Sequence, residues 1–536
     1  MSRDAATPEK KTLIRGVLVL VPAALFAKIV GMFYKIPLLF IVGVEGMAYF
    51  LAAYHVYSFL FVLCATGLPT ALSLLISGLV AKGQGKSVGR LFGLALAAFL
   101  TLGALGTVLL FFAAPLLADR LAMGEAASAI AAISPALFLA AFSGAVKGFF
   151  QGYNRMAPTA VCEALEAAGK LGFGLLFAFL AKARGLPVPQ IAAYAVLGIT
   201  TGMLLSALVS GVWWLVFWLR SAPREGTSVP CRALFSRLLR VAVPITLGAA
   251  MMSAVSLLDT VLISARLQDA GFSAPIAHAM YSSYGNLAIP LYNLVPSLLS
   301  PVTLALIPLL GAAVAKGARG DGTLESALRV TALIAIPAAL GLSVFARPLL
   351  CLVFRGQDAA ITMAAPLLCV LALAVLPASL LTLTGGALQA TGHTALPVVA
   401  TAIGAVVKLL VEYVLLADPR FFLMGAPVST LCCTLTVLVI EWAALSHAMP
   451  HALPLGCLWR PFLASAVSVS LGIALYALLY LRVGEAIWLM PSVLALVGGA
   501  QIFFAFFFHA LEKTDLQCLP FGDKLCECLK RCKLMK

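Results

Sequence analysis

Long segments without a charged residue are the feature that most constrains this chain. No Asp, Glu, Lys or Arg occurs in segments 91–118, 126–146, 185–219, 421–440, 461–481 and 486–511, each at least 20 residues long, or in the longer segments 270–315 and 359–407. About 20 apolar residues in a helix cross the roughly 30 Å hydrocarbon core of a bilayer. Only 11% of all residues are charged, against about 25% in a soluble domain. The pattern excludes a soluble globule and, because strand-like alternation is absent, an outer-membrane barrel.

The segments predict an all-α, polytopic membrane protein with about fourteen transmembrane helices. The predicted spans are 13–40, 47–80, 90–117, 127–150, 157–181, 190–219, 241–265, 280–315, 327–346, 359–389, 394–417, 424–446, 461–481 and 487–511. With the N-terminus inside, 23 Lys and Arg residues fall on the cytoplasmic side and eight outside, as the positive-inside rule requires. Both termini are therefore predicted to be cytoplasmic. The net charge of +15 reflects topology, so no nucleic-acid partner is expected.

The two halves of the chain repeat each other. Gln151 and Lys170 are matched by Gln389 and Lys408, both at an offset of 238 residues. Six predicted spans separate the copies, so both have the same orientation, and parallel repeats with a substrate site between the halves are a transporter architecture. The predicted parts are a cytoplasmic tail (1–12), an N-lobe of helices 1–6 (13–219), a basic cytoplasmic linker (220–240), a C-lobe of helices 7–12 (241–446), helices 13–14 (447–511) and a basic, Cys-containing cytoplasmic tail (512–536).

Charged side chains inside the predicted spans are expected to have a functional or structural role, because the insertion of each into the membrane costs at least about 2.5–3.5 kcal/mol. Lys28 and Lys35 share one face of helix 1 with no acid in their span, which favours a role in a polar cavity. Helix 5 places Glu163, Glu166 and Lys170 on one face, with the last two spaced to pair.

Lys408 and Glu412 form the matching pair on helix 11. For both pairs the alternative is a buried ion pair that only holds helices together, and for Lys147 it is a side chain that snorkels to the membrane surface. The predicted substrate-binding residues are Lys28, Lys35, Lys147, Lys170, Glu163 and Glu166.

The charges inside the spans sum to +2 in the N-lobe and −2 in the C-lobe. The cationic lobe suits an anionic headgroup, and the acidic lobe suits a coupling cation, Na⁺ or H⁺, with Asp259, Glu412 and Lys408 as candidates. Neither a cofactor nor a metal site is expected, since the six histidines show no ligand spacing.

Glycine and proline interrupt two of the predicted spans. Gly67 and Pro69 lie in span 2, and Pro296 and Pro301 lie in span 8. A broken helix frees backbone groups that a cavity or a protein contact must satisfy. The alternative is a kink that serves packing alone.

Three motifs carry a family resemblance. Segments 27–37 (AKIVGMFYKIP), 67–73 (GLPTALS) and 151–159 (QGYNRMAPT) resemble helices 1 and 2 and the loop between helices 4 and 5 of the stage V sporulation protein B family. That family is part of the multidrug/oligosaccharidyl-lipid/polysaccharide exporter superfamily, together with lipid II flippases. The resemblance implies two six-helix lobes around a central cavity, with helices 13 and 14 forming a groove for a lipid tail. Where the family often has arginine in helix 1, this chain has lysine.

The expected function is that of a flippase in the bacterial cytoplasmic membrane. It would move a polyprenyl-pyrophosphate-linked sugar, such as lipid II or a related cell-wall or polysaccharide precursor, from the inner to the outer leaflet by alternating access, as a monomer. The alternatives are an ion-coupled multidrug antiporter of the same superfamily and a membrane-embedded polyprenyl-sugar enzyme. No catalytic residue is assigned, and no nucleotide-binding P-loop is present.

Overall fold

The computed structural model describes residues 8–65, 67–153, 155–221, 229–299, 321–391, 393, 395–418, 420–449, 456–484, 488–508 and 510. Within these residues the only regular secondary structure is helical, which confirms the all-α prediction. Residue contacts divide the chain into two compact units, Met1–Ser282 and Ser283–Lys536.

The first unit contains nine α-helices and a short 3₁₀ turn at Gly124–Ala126 among its described residues. The helices are α1 (Pro8–Ala65), α2 (Gly67–Ala81), α3 (Gly85–Arg120), α4 (Ala127–Ile133), α5 (Pro135–Gly152), α6 (Ala157–Ala183), α7 (Val188–Ser221), α8 (Cys231–Asp269) and α9 (Ala274–Ser282). Helix α6 packs along α7 and α1, and α2 packs between α5 and α8.

The second unit begins with a π-helical turn, Ser283–Ala288, and has a 3₁₀ turn at Phe422–Met424. Its described α-helices are α10 (289–299), α11 (Asp321–Val344), α12 (Ala346–Val353), α13 (Asp358–Leu373), α14 (Val375–Ala390), α15 (Ala395–Ala417), α16 (Gly425–Ala448), α17 (Gly456–Val483) and α18 (Leu489–Phe507). Helix α17 packs against α11 and α18, and α15 packs against α16.

The predicted count of fourteen spans is not confirmed. Eleven helices in the described residues are long and apolar enough to cross a membrane, and twelve if α13 and α14, which meet at an angle of 43°, form one broken span. The segment Tyr34–Val80 counts once, although two spans were predicted across it. Residues 300–320, which include the end of the predicted span 280–315, lie outside the described part of the chain.

The predicted linker and one predicted helix break fall on helices of the structure. The predicted linker 220–240 is helical from Cys231 onward, and α8 and α9 pack within the first unit. The lobe boundaries therefore remain a prediction. Pro296 does not break its helix, because α10 runs over 289–299 without interruption. The departure from α-helix is instead the π turn at Ser283–Ala288, which ends two residues before Pro290.

The surface of both units is apolar, as a lipid-facing surface must be. Phe112 is 77% exposed, Leu219 is 70% exposed and Leu481 is 85% exposed. A water-soluble protein would bury side chains of this size. The exposed apolar residues therefore support the membrane assignment independently of segment length.

Helix α1 bends at Gly43, which has φ 80° and ψ 172°. A residue with a side chain rarely adopts this positive φ, whereas glycine does so at little cost. The bend falls between the predicted spans 13–40 and 47–80. It divides α1 into a first segment that carries Tyr34 and a second segment that carries Tyr54.

The internal repeat is visible in the helix boundaries. Helix α6 begins at Ala157 and α15 begins at Ala395, and Lys170 and Lys408 stand at the same position of their helices, the fourteenth. The two lysines therefore occupy the same position along their helices.

Glycines allow α6 and α7 to approach each other closely. A Cβ atom added at Gly169 would lie 2.7 Å from the Cα of Gly202, and one added at Gly198 would collide with the backbone of Gly174. Small residues at a helix contact are the usual means by which transmembrane helices pack, because backbone groups then meet directly. This contact holds α6, and with it the charged residues of that helix, against the rest of the first unit.

Candidate polar cavity in the first unit

The side chain of Lys170 lies between two tyrosines of α1. Its Nζ atom is 5.5 Å from the ring centroid of Tyr34 and 4.9 Å from that of Tyr54. An ammonium over an aromatic face is stabilised by about 0.5–2 kcal/mol, more when it is desolvated. The two rings hold a positive charge at a fixed place inside the predicted membrane region.

The predicted ion pair between Glu166 and Lys170 is wrong. Glu166 instead pairs with Lys147 of α5, with an Nζ–Oε2 distance of 3.5 Å. The spacing of four residues on α6 permits a pair, but each side chain contacts a different helix. Glu166 pairs with α5, and Lys170 lies between the two tyrosines of α1. Lys147 therefore does not snorkel to the membrane surface, since only 17% of its side chain is exposed and the ammonium points to Glu166.

Two cavities of about 240 Å³ each adjoin these residues. Both are lined by Glu163 and Glu166. The first also contacts Tyr34 and Lys170, and the second contacts Lys147. A water molecule needs only about 10–15 Å³ of cavity volume, so both cavities are large enough to be hydrated. Four of the six predicted substrate-binding residues thus line one or both of these cavities.

The residues predicted to break span 2 also border this polar region. Helix α2 is described from Gly67, and Pro69 and Thr70 line the second cavity. Residue 66 lies outside the described residues, so the break itself remains a prediction. A Cβ atom at Gly67 would lie 2.7 Å from the backbone nitrogen of Thr246 in α8. Gly67 therefore lets the start of α2 fit closely against α8 while the next turn faces the cavity.

The structure describes Lys35 and Lys28 less completely than the other predicted substrate-binding residues. Lys35 follows Tyr34, is half-buried and repels the positive charge of Lys170. Lys28 lies on α1, but its side chain is outside the described part of the structure, and so is Pro301. Their predicted roles remain predictions.

The predicted coupling-ion residues fall in different units. Asp259 is half-buried on α8 in the first unit, next to Thr260, whose hydroxyl lies 2.7 Å from Nδ1 of His55 and 2.9 Å from the hydroxyl of Tyr281. Lys408 and Glu412 are buried one turn apart on α15 in the second unit. No group of three or more His, Cys, Asp or Glu side chains with metal-binding geometry occurs in the described residues.

Several residues of these sites were missed from the sequence. Tyr34 and Tyr54 carry no charge, so a search for charged residues in spans passes over them. In the second unit, the hydroxyl of Thr384 donates to the buried carboxylate of Glu441, and Ser429 donates to Glu412 at 3.4 Å. No sequence signal identifies them, because the pairing of a hydroxyl with an acid on another helix depends on how the helices pack.

The ion pair between Lys147 and Glu166 should stabilise the first unit. We expect Lys147→Met to lower the free energy of unfolding by about 1–3 kcal/mol, since Glu166 loses its cation at 30% exposure, between the surface and fully buried cases. Thermal unfolding of the purified protein measures the loss. Lys147→Met/Glu166→Gln should recover most of it, and Lys86→Met, at an exposed site on α3, should change nothing. Equal stability of the single variant and the wild type would contradict the role of the pair.

Comparison with solved structures identifies the fold. The chain matches the structure of lipid II flippase MurJ in an inward closed conformation with a TM-score of 0.70 and 14% identity, over 92% of this chain and 99% of that one. It matches an inward-facing multidrug resistance MATE family transporter of the MOP superfamily with a TM-score of 0.65 and 16% identity, over 80% and 96%. The fold is that of the polytopic MOP-superfamily transporters.

Sequence comparison identifies the family. The chain belongs to the family described as polysaccharide biosynthesis protein, whose model matches residues 13–314, and a MatE model matches residues 278–414. Two relatives come from Bacillus subtilis (strain 168). Stage V sporulation protein B is 22% identical over 96% of this chain and 99% of its own length, and lipid II flippase MurJ is 24% identical over 75% and 76%.

Proposed function

We propose that this protein is a flippase for a polyprenyl-pyrophosphate-linked sugar, such as lipid II or a related cell-wall or polysaccharide precursor. The observation that carries the proposal is the lysine-bearing polar cavity of the first unit, built within helices of transmembrane length. Its relatives are named as a lipid II flippase and a sporulation protein, which favours this reading over a membrane-embedded enzyme.

Such a lipid needs a flippase because its sugar headgroup is polar. A sugar hydroxyl transferred into hydrocarbon without a hydrogen-bond partner costs several kcal/mol, so spontaneous flipping is slow. A cavity that supplies ammonium groups and hydroxyls and opens alternately to each side removes most of this barrier. With the membrane negative inside, a pyrophosphate of charge about −2 that moves outward gains roughly 4–5 kcal/mol per 100 mV.

Coupling to a cation is a further part of the proposal. The acids Asp259 and Glu412, with Lys408 beside the latter, are the proposed sites for Na⁺ or H⁺. Imposed gradients of each ion and of voltage in the transport assay separate these driving forces. The proposed setting is the bacterial cytoplasmic membrane, with a monomer whose termini are both cytoplasmic, as the distribution of Lys and Arg supports.

Transport in proteoliposomes tests the function directly. We expect labelled lipid II, or an unrelated polyprenyl-linked glycan, to become accessible in the opposite leaflet only when the protein is present. A fluorescent cationic drug should not be transported. Drug transport without movement of either glycolipid would establish the alternative, an ion-coupled multidrug antiporter, to which the MatE match and the MATE-like fold give some support.

A further inference from the structure

A third cavity, separate from the proposed transport site, lies in the second unit. Its volume is about 570 Å³, which is within the range of small-molecule sites. It forms where the ends of α12 and α17 meet the starts of α13 and α18. Two arginines, two tyrosines and an apolar floor make up most of its wall: Arg347, Arg355, Tyr476, Tyr480, Leu489 and Met490.

The cavity carries an excess of positive charge. Arg347 and Arg355 are exposed, and within the described residues neither guanidinium forms an ion pair or a hydrogen bond. By contrast, Arg266, on the same predicted side of the membrane, lies 3.7 Å from Asp269. One acid, Asp358, also lines the cavity, but it is the first residue of α13, where the helix dipole stabilises its charge.

Aromatic residues indicate the depth of the cavity in the membrane. The rings of Tyr476 and Tyr480 stack with centroids 5.9 Å apart, and Trp488 is 53% exposed at the start of α18. Tyrosine and tryptophan are enriched where hydrocarbon meets the headgroup region. Leu481, beside them, is 85% exposed, as expected for contact with lipid chains. The cavity therefore opens at the membrane–water boundary.

The floor of the cavity is apolar and well packed. Leu489 is 3% exposed and Met490 is 4% exposed, and they pack with Phe345 and Val493 in one cluster. A ligand that fits this cavity has an anionic group for the two guanidinium groups and an apolar part for the floor. Phosphate suits the arginines because a guanidinium forms paired, charge-assisted hydrogen bonds with its oxygens.

We infer that this cavity binds the phosphate group of a membrane lipid, whose chains continue along the exposed apolar faces of α17 and α18. The inference does not depend on the proposed flippase activity, since any phosphate-bearing lipid of that leaflet meets the same chemistry. Free phosphate shares the contact with the arginines but gains nothing from the apolar floor. The lipid is therefore the expected occupant.

Lipid binding by the purified, full-length protein tests the inference. Native mass spectrometry with added phosphatidylglycerol should show a retained lipid, and Arg347→Ala/Arg355→Ala should weaken retention by about tenfold or more, as expected for the loss of charge-assisted contacts. Arg347→Lys/Arg355→Lys keeps the charge and should retain an intermediate affinity. Arg420→Ala is the matched control, because Arg420 is exposed and does not line the cavity.

The outcomes separate the two sources of phosphate. An excess of inorganic phosphate should not displace the lipid from the wild-type protein. If lipid retention is the same in the double alanine variant and the wild type, the site is refuted. If inorganic phosphate displaces the lipid readily, or binds through the arginines while phosphatidylglycerol does not, the lipid assignment is overturned in favour of a soluble anion.

Discussion

Lys170→Gln is expected to reduce glycolipid transport by about 10- to 100-fold while the protein still folds. Lys170 is the cation held between Tyr34 and Tyr54 at the first cavity. Under the proposed function, its neutralisation removes one charge-assisted contact of about 1.5–3 kcal/mol with the pyrophosphate, while Glu163 and Glu166 remain to repel the anion. Initial transport rates in proteoliposomes, normalised to the amount of inserted protein, measure the effect.

Two further variants give this experiment its controls. Lys170→Arg keeps a cation over the two rings and should retain much more transport than Lys170→Gln. Lys182→Gln alters a lysine near the end of the same helix that is exposed and contacts the carbonyl oxygen of Phe40, so its transport should be close to that of the wild type. Full transport by Lys170→Gln would remove the first cavity from the substrate path.

Gly198→Ala should prevent normal folding of the first unit. The added methyl group collides with the backbone of Gly174, so α6 and α7 must separate along the contact that glycines create. Overpacking of this kind costs about 1–3 kcal/mol when side chains can adjust, and here the obstacle is backbone. We expect a loss of more than about 3 kcal/mol, seen as a low yield of monodisperse protein and a lower melting temperature.

Gly172→Ala provides the matched control on α6. A Cβ atom at Gly172 meets nothing within 4 Å, and both substitutions gain the same helix propensity of about 1 kcal/mol. The control should therefore be as stable as the wild type or more so. If Gly198→Ala were equally stable, α6 and α7 would not pack through their glycines.

The class of the fold could be predicted from the sequence because hydrocarbon imposes a strict rule on segment length and charge. The same rule located Lys147, Glu163, Glu166 and Lys170, since a spanning charge stands out against apolar residues. It did not give their partners. Spacing along α6 says which side chains share a face, whereas the choice between Lys147 and Lys170 as the partner of Glu166 depends on how α5 and α1 pack.

Other features of the structure could not be predicted from segment length and charge. The cavity at Arg347 joins residues that are more than a hundred positions apart, such as Arg355 and Tyr476. The predicted spans 13–40 and 47–80 indicate an interruption near Gly43, but not its form, a bend within one helix that depends on the backbone conformation of a single residue. The π turn before Pro290 is similar, because proline predicts a disturbance but not its form.

The bend in α1 also sets the geometry of the tyrosine pair around Lys170. Tyr34 precedes Gly43 and Tyr54 follows it. Any change in the bend angle of α1 at Gly43 therefore changes the separation of the two rings. It also changes the strength of their cation–aromatic interaction with the ammonium between them. A change in the backbone dihedral angles of Gly43 during the transport cycle would weaken or restore the contacts of Lys170 with the two rings without displacing α6.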